Sequence, residues 1–152
     1  MKILIDVLDF GEIEVELYKD IAPVTVDNFI KLVKQDYFNN SSFHRIIKGF
    51  MIQGGISKTQ ADTIVGEFSS NGIKNDLKHE RGVISMARTN VKNSASSQFF
   101  IMHQDSPHLD GEYAAFGKVT NGMDVVDSIA SVKTSLMDAP LQKVVINNIK
   151  LV

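Results

Sequence analysis

The sequence predicts a mainly β fold: a closed antiparallel barrel of eight strands, capped at its open ends by two α-helices. Short apolar runs, rich in β-branched and aromatic residues and bounded by turn formers, recur along the 152 residues. Only two segments have the 3.6-residue period of an amphipathic helix. Strands and helices do not alternate as in a parallel sheet, and no interdomain linker is visible. We therefore expect a single domain over residues 1–152.

The first elements are a hairpin and a helix. Apolar and polar residues alternate on both sides of Asp9-Phe10-Gly11, which predicts two strands with one solvated face. The apolar positions are Ile3, Ile5, Val7, Ile13, Val15 and Leu17. From Pro23 onward apolar residues follow a helical period, so a helix covers roughly residues 23 to 35. Either Thr25 as a cap or Pro23 in the first turn starts it.

The rest of the chain adds six strands and a second helix. Five strands are predicted at residues 43–47, 50–53, 82–86, 98–102 and 115–119. The helix begins near Asn121-Gly122, with Asp124 in its first turn. Residues 144–152 are rich in β-branched side chains and form the last strand.

Composition excludes several partners. The chain has 16 Lys and Arg against 18 Asp and Glu, a formal net charge of −2, so no broad cationic field exists for nucleic acid or anionic lipid. No run of 18 apolar residues occurs, and Asp6 interrupts the apolar start before a signal peptide can form. Zero cysteines fit a reducing compartment. We expect a cytoplasmic protein without nucleic-acid or membrane partners and, since no dimer seam is visible, a monomer.

Three common kinds of active site lack support in the sequence. The four histidines, at positions 44, 79, 103 and 108, have no metal-site spacing, and no cysteine completes such a site. Ser94, Ser96 and Ser97 lack the G-x-S-x-G elbow of a hydrolase and fit a polar loop. Gly54-Gly55 lacks the remainder of a phosphate loop and fits a bend at a strand end. No metal and no cofactor is therefore expected.

Three polar residues stand inside apolar strands instead: Arg45, Gln53 and Gln98. Strand alternation alone explains any one of them, because every second side chain of a half-exposed strand faces water. Alternation also gives Arg45 the same face as Phe43 and Ile47, and gives Gln53 the same face as Met51. Together they indicate an apolar surface with a fixed cation and two amides, and without an evident acid, base or nucleophile.

The strongest resemblance to a known family lies in residues 43–55, FHRIIKGFMIQGG. This segment resembles the signature of the cyclophilin-type peptidyl-prolyl cis-trans isomerases and departs from it mainly at Lys48, where the family commonly has Pro. Further matches follow in the family's order at GVISMA (82–87), SQFFI (97–101), LDG (109–111) and FGKV (116–119). The opening hairpin, Ala22-Pro23 and the closing strand also resemble the family, so the likeness covers essentially the whole chain.

The resemblance implies an eight-stranded antiparallel barrel with a helix over each end. It also implies an enzyme that accelerates rotation about Xaa-Pro bonds and assists protein folding, with Xaa-Pro-containing polypeptides as partners. Arg45 takes the place of the family's catalytic arginine, and Gln53 that of the glutamine which orients it. The positions that match the apolar pocket for the proline ring are Phe50, Met51, Phe100 and Leu109.

The remaining site positions are implied in the same way. Ala87, Arg88 and Thr89 match a short strand whose backbone pairs with the extended substrate, and Gln98 matches a further polar wall. His108 and Tyr113 line the groove. Arg88 stands where Asn is common, His108 where many members carry Trp, and Tyr113 where many carry His. Between Met86 and Phe99 the chain is one residue longer than the common eukaryotic form, so matches at residues 90–96 stay open.

Two departures alter the expected binding. The loop at residues 56–65 is shorter than the family's Gly-rich loop, which leaves the side pocket for residues before the proline more open. The ring of His108 has a smaller apolar face than an indole, so cyclosporin, a cyclic peptide that fills the groove of many members, should bind weakly.

A binding module is the alternative function. The same groove could hold Pro-containing segments as a chaperone does, with isomerisation incidental to binding. The presence of both Arg45 and Gln53 favours activity, because a pure binding module is free to lose them. A hydrolase, the third reading, would have to form a product, which isomerisation does not.

Overall fold

The computed structural model describes residues Met1–Val152 as a mainly β protein with two α-helices and a curled antiparallel sheet of nine strands. The strands are β1 Lys2–Val7, β2 Gly11–Leu17, β3 Ser41–Ser42, β4 Arg45–Ile47, β5 Met51–Gly54, β6 Val83–Met86, β7 Phe99–Met102, β8 Ala115–Asn121 and β9 Val145–Leu151. The helices are α1 Pro23–Lys34 and α2 Met123–Ala130, and neither is long and apolar enough to cross a membrane. Single 3-10 turns lie at Ser69–Asn71 and Pro107–Leu109.

The opening hairpin is confirmed. Ile3 pairs with Val15 and Ile5 with Ile13, so the apolar residues of both strands share the buried face of the sheet. The turn between them has positive φ at Asp9 and at Gly11, the latter at 122°. Glycine adopts that conformation without the steric cost that a side chain would add.

Helix α1 begins at Pro23, which was one of the two predicted starts. Thr25 is not its cap, since it lies inside the helix and is fully buried. Both the backbone N–H and the Oγ1 of Thr25 donate to the carboxylate of Glu67, at 2.6 and 2.7 Å. A carboxylate at this end of a helix satisfies free N–H groups and interacts favourably with the helix dipole.

The sheet curls until its two outermost strands are consecutive in the chain. Its order is β3-β9-β1-β2-β8-β6-β7-β5-β4, and only Phe43 and His44 separate β3 from β4. The expected eight strands are therefore nine, and the hydrogen-bonded order is open between β3 and β4. The difference arises because the expected strand at residues 43–47 begins only at Arg45, and a separate two-residue strand, β3, lies before the break at residues 43–44. Strand β3 pairs with β9, whereas β4 pairs with β5.

This break also makes one expected surface wrong. Strand alternation predicts Phe43 on the same face as Arg45, but Phe43 is fully buried in the core and Arg45 is exposed. The irregular residues 43–44 interrupt the alternation, so Ile46 joins Phe43 in the core. Ile47 packs on the opposite face of the sheet, with Arg45.

Apolar side chains form two clusters, one on each face of the sheet. The main core of 32 buried residues fills the inside of the curl and contains Phe99 and Ile101 of β7. A second cluster of six buried residues lies on the outer face: Met51, Val83, Phe100, Met102, Leu109 and Ala115. Strand β7 is buried on both faces, which accounts for its uninterrupted apolar sequence.

Candidate active site

A row of side chains crosses the outer face of the sheet. Arg45 of β4 is paired in register with Gln53 of β5, and Gln53 with Phe100 of β7. The row continues to Ser85 of β6, the register partner of Phe100. Since residues directly opposite on neighbouring strands point to the same face, a cation, an amide and an aromatic ring converge there.

Two amide side chains orient the cation. Nη1 of Arg45 donates to Oε1 of Gln53 at 3.4 Å, and Nε2 of Gln53 donates to Oε1 of Gln98 at 3.0 Å. The second bond is the shorter, and it fixes which end of the Gln53 amide faces the guanidinium. The guanidinium of Arg45 is therefore directed by one weak bond and keeps most of its N–H groups free for another molecule.

An apolar pocket of about 120 Å³ lies beside Arg45. Its lining consists of Arg45, Phe50, Met51, Gln53, Ala87, Arg88, Phe100, Leu109 and Tyr113, all of them predicted from the sequence. The volume is well below the roughly 300 to 1,000 Å³ of most cofactor and ligand sites. The pocket therefore suits a single small ring or side chain.

Phe100 lines this pocket, and its ring packs against two other rings. The ring of His79 stacks on it, with centroids 6.1 Å apart and an interplanar angle of 20°, while Tyr113 meets it edge-on at 5.8 Å. His79 is itself fixed, because Nδ1 lies 3.2 Å from Oδ1 of Asp110 and Nε2 lies 2.9 Å from Oγ of Ser85. Burial lowers the pKa of His79 against the opposing effect of Asp110, so the neutral ring is favoured.

The turn that carries Phe50 is anchored in a similar way. The backbone N–H of Gly49, whose φ is +80°, donates to Nδ1 of His103 at 2.8 Å, and the N–H of His103 donates to the carbonyl of Phe50 at 2.9 Å. Nε2 of His103 lies 3.2 Å from Asp127 of α2. The hairpin between β4 and β5, with Arg45 in one strand, is thereby tied to the rest of the fold.

The family model for cyclophilin type peptidyl-prolyl cis-trans isomerases matches residues 2–151. The chain belongs to this family. Its activity is peptidyl-prolyl cis-trans isomerisation.

Relatives from several organisms agree. A peptidyl-prolyl cis-trans isomerase of Acinetobacter baylyi is 45% identical over 84% of this chain and 71% of its own length. Peptidyl-prolyl cis-trans isomerase B of Escherichia coli is 39% identical over 91% of this chain and 93% of its own. The crystal structure of a Cryptosporidium parvum cyclophilin, determined in the presence of the dipeptide Ala-Pro, has a TM-score of 0.90 and 29% identity, and the match covers 99% of this chain and 98% of that one.

A second, polar cavity of about 230 Å³ adjoins the apolar pocket of the isomerase. The two share Gln53, Ala87 and Arg88. The other lining residues are Gln60, Thr89, Ser94, Ser96 and Gln98. Gln60 alone comes from the short loop at residues 56–65, and it is exposed. Little of that loop therefore covers the cavity.

The strand that is expected to pair with substrate has one free position. The N–H of Ala87 donates to the carbonyl of Gln98, and the N–H of Thr89 donates to Oγ of Ser94. The N–H and C=O of Arg88 have no partner within the isomerase. Arg88 therefore offers both a free backbone donor and a free backbone acceptor.

His108 lies at the rim of the pocket and outside its lining. It belongs to the 3-10 turn Pro107–Leu109, is exposed, and faces the ring of Phe50 with centroids 5.9 Å apart. Tyr113, where many members carry His, lines the pocket.

Sequence reasoning missed the residues that support the pocket: His79, Ser85, His103 and Asp110. Ser85 carried the same signal as Arg45, a polar residue inside an apolar strand, and could have been found by it.

The expected serine loop is present, since Ser94 bonds Thr89 and the Val91 carbonyl and Ser97 bonds the Gly55 carbonyl. No group of three or more His, Asp or Glu side chains is close enough to hold a metal ion.

Proposed function

We propose that the isomerase acts on Xaa-Pro bonds of polypeptides, with the proline ring in the apolar pocket and Arg45 as the catalytic donor. The observation that carries the proposal is the row of Arg45, Gln53 and Phe100 on one face of the sheet. Such a row sets a cation against the edge of an apolar pocket. A relative from Cryptosporidium parvum was crystallised in the presence of Ala-Pro, a dipeptide of this class.

The reaction requires no proton transfer and no covalent step. Rotation about the bond has to break amide resonance, with a barrier of about 18 to 20 kcal/mol, and it takes tens to hundreds of seconds unaided. In the twisted transition state the nitrogen lone pair is localised and accepts a hydrogen bond. A donor aimed at that nitrogen therefore binds the transition state more tightly than either ground state.

Arg45 fits the part of this donor. Its planar guanidinium has five N–H groups in a rigid fork, of which one is used by Gln53. Gln98 in turn fixes the amide of Gln53. The other lining residues hold the ring while the preceding carbonyl swings, and the apolar walls exclude part of the water that would weaken the arginine's field.

The alternative, a Pro-binding chaperone with incidental isomerase activity, differs in one measurable respect. We expect two-dimensional exchange NMR on a short Xaa-Pro peptide to give cis-trans exchange cross-peaks at substoichiometric concentrations of the protein. Line broadening or shift changes without exchange cross-peaks would select the chaperone. Release of peptide fragments would select a hydrolase.

We further propose that the chain works as a single-domain monomer in the cytoplasm, and that its sheet behaves as a closed eight-stranded barrel. One core of 32 residues joins both helices to the sheet, which supports a single domain. Strands β3 and β4 are two parts of one bent strand, and the N–H of Phe43 still donates to the carbonyl of Val144 at the break. Light scattering, a single cooperative unfolding transition and cell fractionation test these points.

A further inference from the structure

The side chain of Arg88 is half-exposed and makes two ring contacts and three hydrogen bonds. Its guanidinium carbon lies 4.7 Å from the ring centroid of Phe68 and 4.8 Å from that of Tyr113. Nε and Nη2 donate to the carbonyl of Glu112 at 3.1 and 2.7 Å, and Nη1 donates to the carbonyl of Thr89 at 2.9 Å. A cation beside two aromatic rings is attracted by both, so these contacts favour the observed position of the guanidinium.

This fixed cation stands between the two cavities of the groove. Arg88 lines the apolar pocket and the polar cavity alike. A guanidinium has five N–H groups, and the three bonds to Glu112 and Thr89 leave one on Nη1 and one on Nη2 without a partner. These are donors suited to an oxygen anion.

The groove contains no carboxylate that could neutralise the guanidinium of Arg88. The linings of the two cavities include Arg45 and Arg88 but no Asp or Glu. The carboxylates on the neighbouring loop have other partners: Asp110 lies against His79, and Glu112 accepts from Oγ of Ser70 at 3.0 Å. Since the whole chain carries a net charge of −2, this positive groove is a local feature.

The polar cavity is within reach of a residue next to the bound proline. An extended peptide advances about 3.3 Å per residue, so one to three residues span the distance between adjoining cavities. The cavity wall offers amide and hydroxyl groups, among them the amide of Gln60, which has no partner in the chain. A carboxylate there meets donors and one fixed cation.

We propose that the isomerase prefers substrates with an acidic side chain one to three residues before the proline, and that Arg88 determines this preference. The inference rests on the proposed function, because it assumes that the proline occupies the apolar pocket. Glutamate and glutamine have the same shape and differ in charge, so they separate electrostatic selection from fit.

The test compares three peptides that are identical except for Glu, Gln or Lys at the second position before proline. Exposed ion pairs are worth a few tenths to about 1 kcal/mol, so kcat/KM for the Glu peptide should exceed that for the Gln peptide by about 1.5-fold to fivefold at low salt. The Lys peptide should be slowest. Raising the salt to about 0.5 M should shrink the differences, because the charges are then screened. Equal rates for all three peptides at low salt, and in the same comparison at the first and third positions before proline, would overturn the proposal.

Variants then assign the preference to a residue. In Arg88→Gln the ratio of the Glu to the Gln rate should fall to about one, whereas Arg88→Lys should keep part of it. The ratio is the readout because both peptides meet the same variant, whatever its absolute rate. Lys92→Gln is the matched control: Lys92 is an exposed cation outside both linings, bonded to the carbonyl of Ser70. A ratio that survives in Arg88→Gln, or is lost in Lys92→Gln, contradicts the role of Arg88.

Failure of the preference and failure of the proposed function give different results. If the Glu and Gln peptides are isomerised at the same rate, the proposed function stands and the preference is wrong. If no peptide is isomerised, the proposed function is wrong. The dissociation constants of the Glu and Gln peptides from NMR titration then decide whether the acidic residue is still selected.

Discussion

Replacement of Arg45 by alanine should abolish most activity while leaving the fold almost as stable as before. Arg45 is exposed, and its one side-chain hydrogen bond is the 3.4 Å contact to Gln53. A typical net hydrogen bond contributes about 0.5 to 1.5 kcal/mol, and a long exposed one belongs at or below the lower end. The free energy of unfolding should therefore fall by no more than about 0.5 kcal/mol.

The effect on turnover should be much larger. Removing one donor aimed at transition-state charge typically costs about 2.7 to 4 kcal/mol, or a factor of about 100 to 1,000 in kcat. Arg45→Lys should also be poor, because an ammonium group lacks the planar fork that Gln53 orients. The other residues that line the apolar pocket are unchanged in both variants, so peptide affinity should change little and the loss should fall mainly on kcat.

Exchange NMR measures turnover, and urea unfolding measures stability, on the same samples. Lys48→Ala is the control, since Lys48 is an exposed cation in the turn of the same hairpin and lies outside the pocket. It should keep near-normal turnover. Arg45→Ala with turnover within about threefold of the parent, or with a loss of stability large enough to explain its inactivity, would refute the reasoning.

Three further predictions concern the pocket and its support. Phe100→Ala should weaken peptide binding as well as turnover, and unchanged affinity would exclude its ring from the pocket. It should also lower the free energy of unfolding, measured by urea titration, by about 3 kcal/mol, because Phe100 is buried in the outer cluster. His108→Trp should tighten cyclosporin by roughly 1 to 2 kcal/mol in a calorimetric titration, and tight binding by the parent or no gain would contradict the assignment of His108 to the rim. Burial is the main cause that lowers the pKa of His44 and of His79 in the folded state. In the unfolded chain their pKa is about 6.5, so below that pH the unfolded chain binds more protons than the folded one. Stability should therefore be complete above about pH 7 and fall as the pH decreases toward 5, and a flat series of unfolding midpoints over that range would count against it.

Local patterns account for what the sequence predicted well. A helix period and a strand period are properties of neighbouring residues, so α1, the hairpin and the outward position of Gln53 could be found without knowledge of the fold. The break at Phe43-His44 could not, because residues 43–47 have the composition of one uninterrupted strand and the strand before the break, Ser41–Ser42, has no apolar residue to indicate it. There, burial of the Phe43 ring in the core overrides alternation.

Long-range hydrogen bonds account for what the sequence left hidden. Glu67 bonds Thr25 from 42 residues away, and His79 contacts Asp110 over 31 residues. Such pairs leave no periodic trace, since each partner on its own is an ordinary polar residue. They matter all the same, because leaving a buried partner unsatisfied costs about 1 to 3 kcal/mol.

The outer cluster links the fold to catalysis in a way that the main core does not. Phe100 and Met102 point away from the core, and exposed they would form an apolar patch on the sheet. The segments that carry His79, Leu109 and Tyr113 cover this patch except at the pocket beside Arg45. The same covering residues therefore both bury the outer face and shape the pocket, so substitutions in them should alter turnover and stability together. Substitutions of Arg45 itself should separate the two, because its guanidinium contributes almost nothing to the packing.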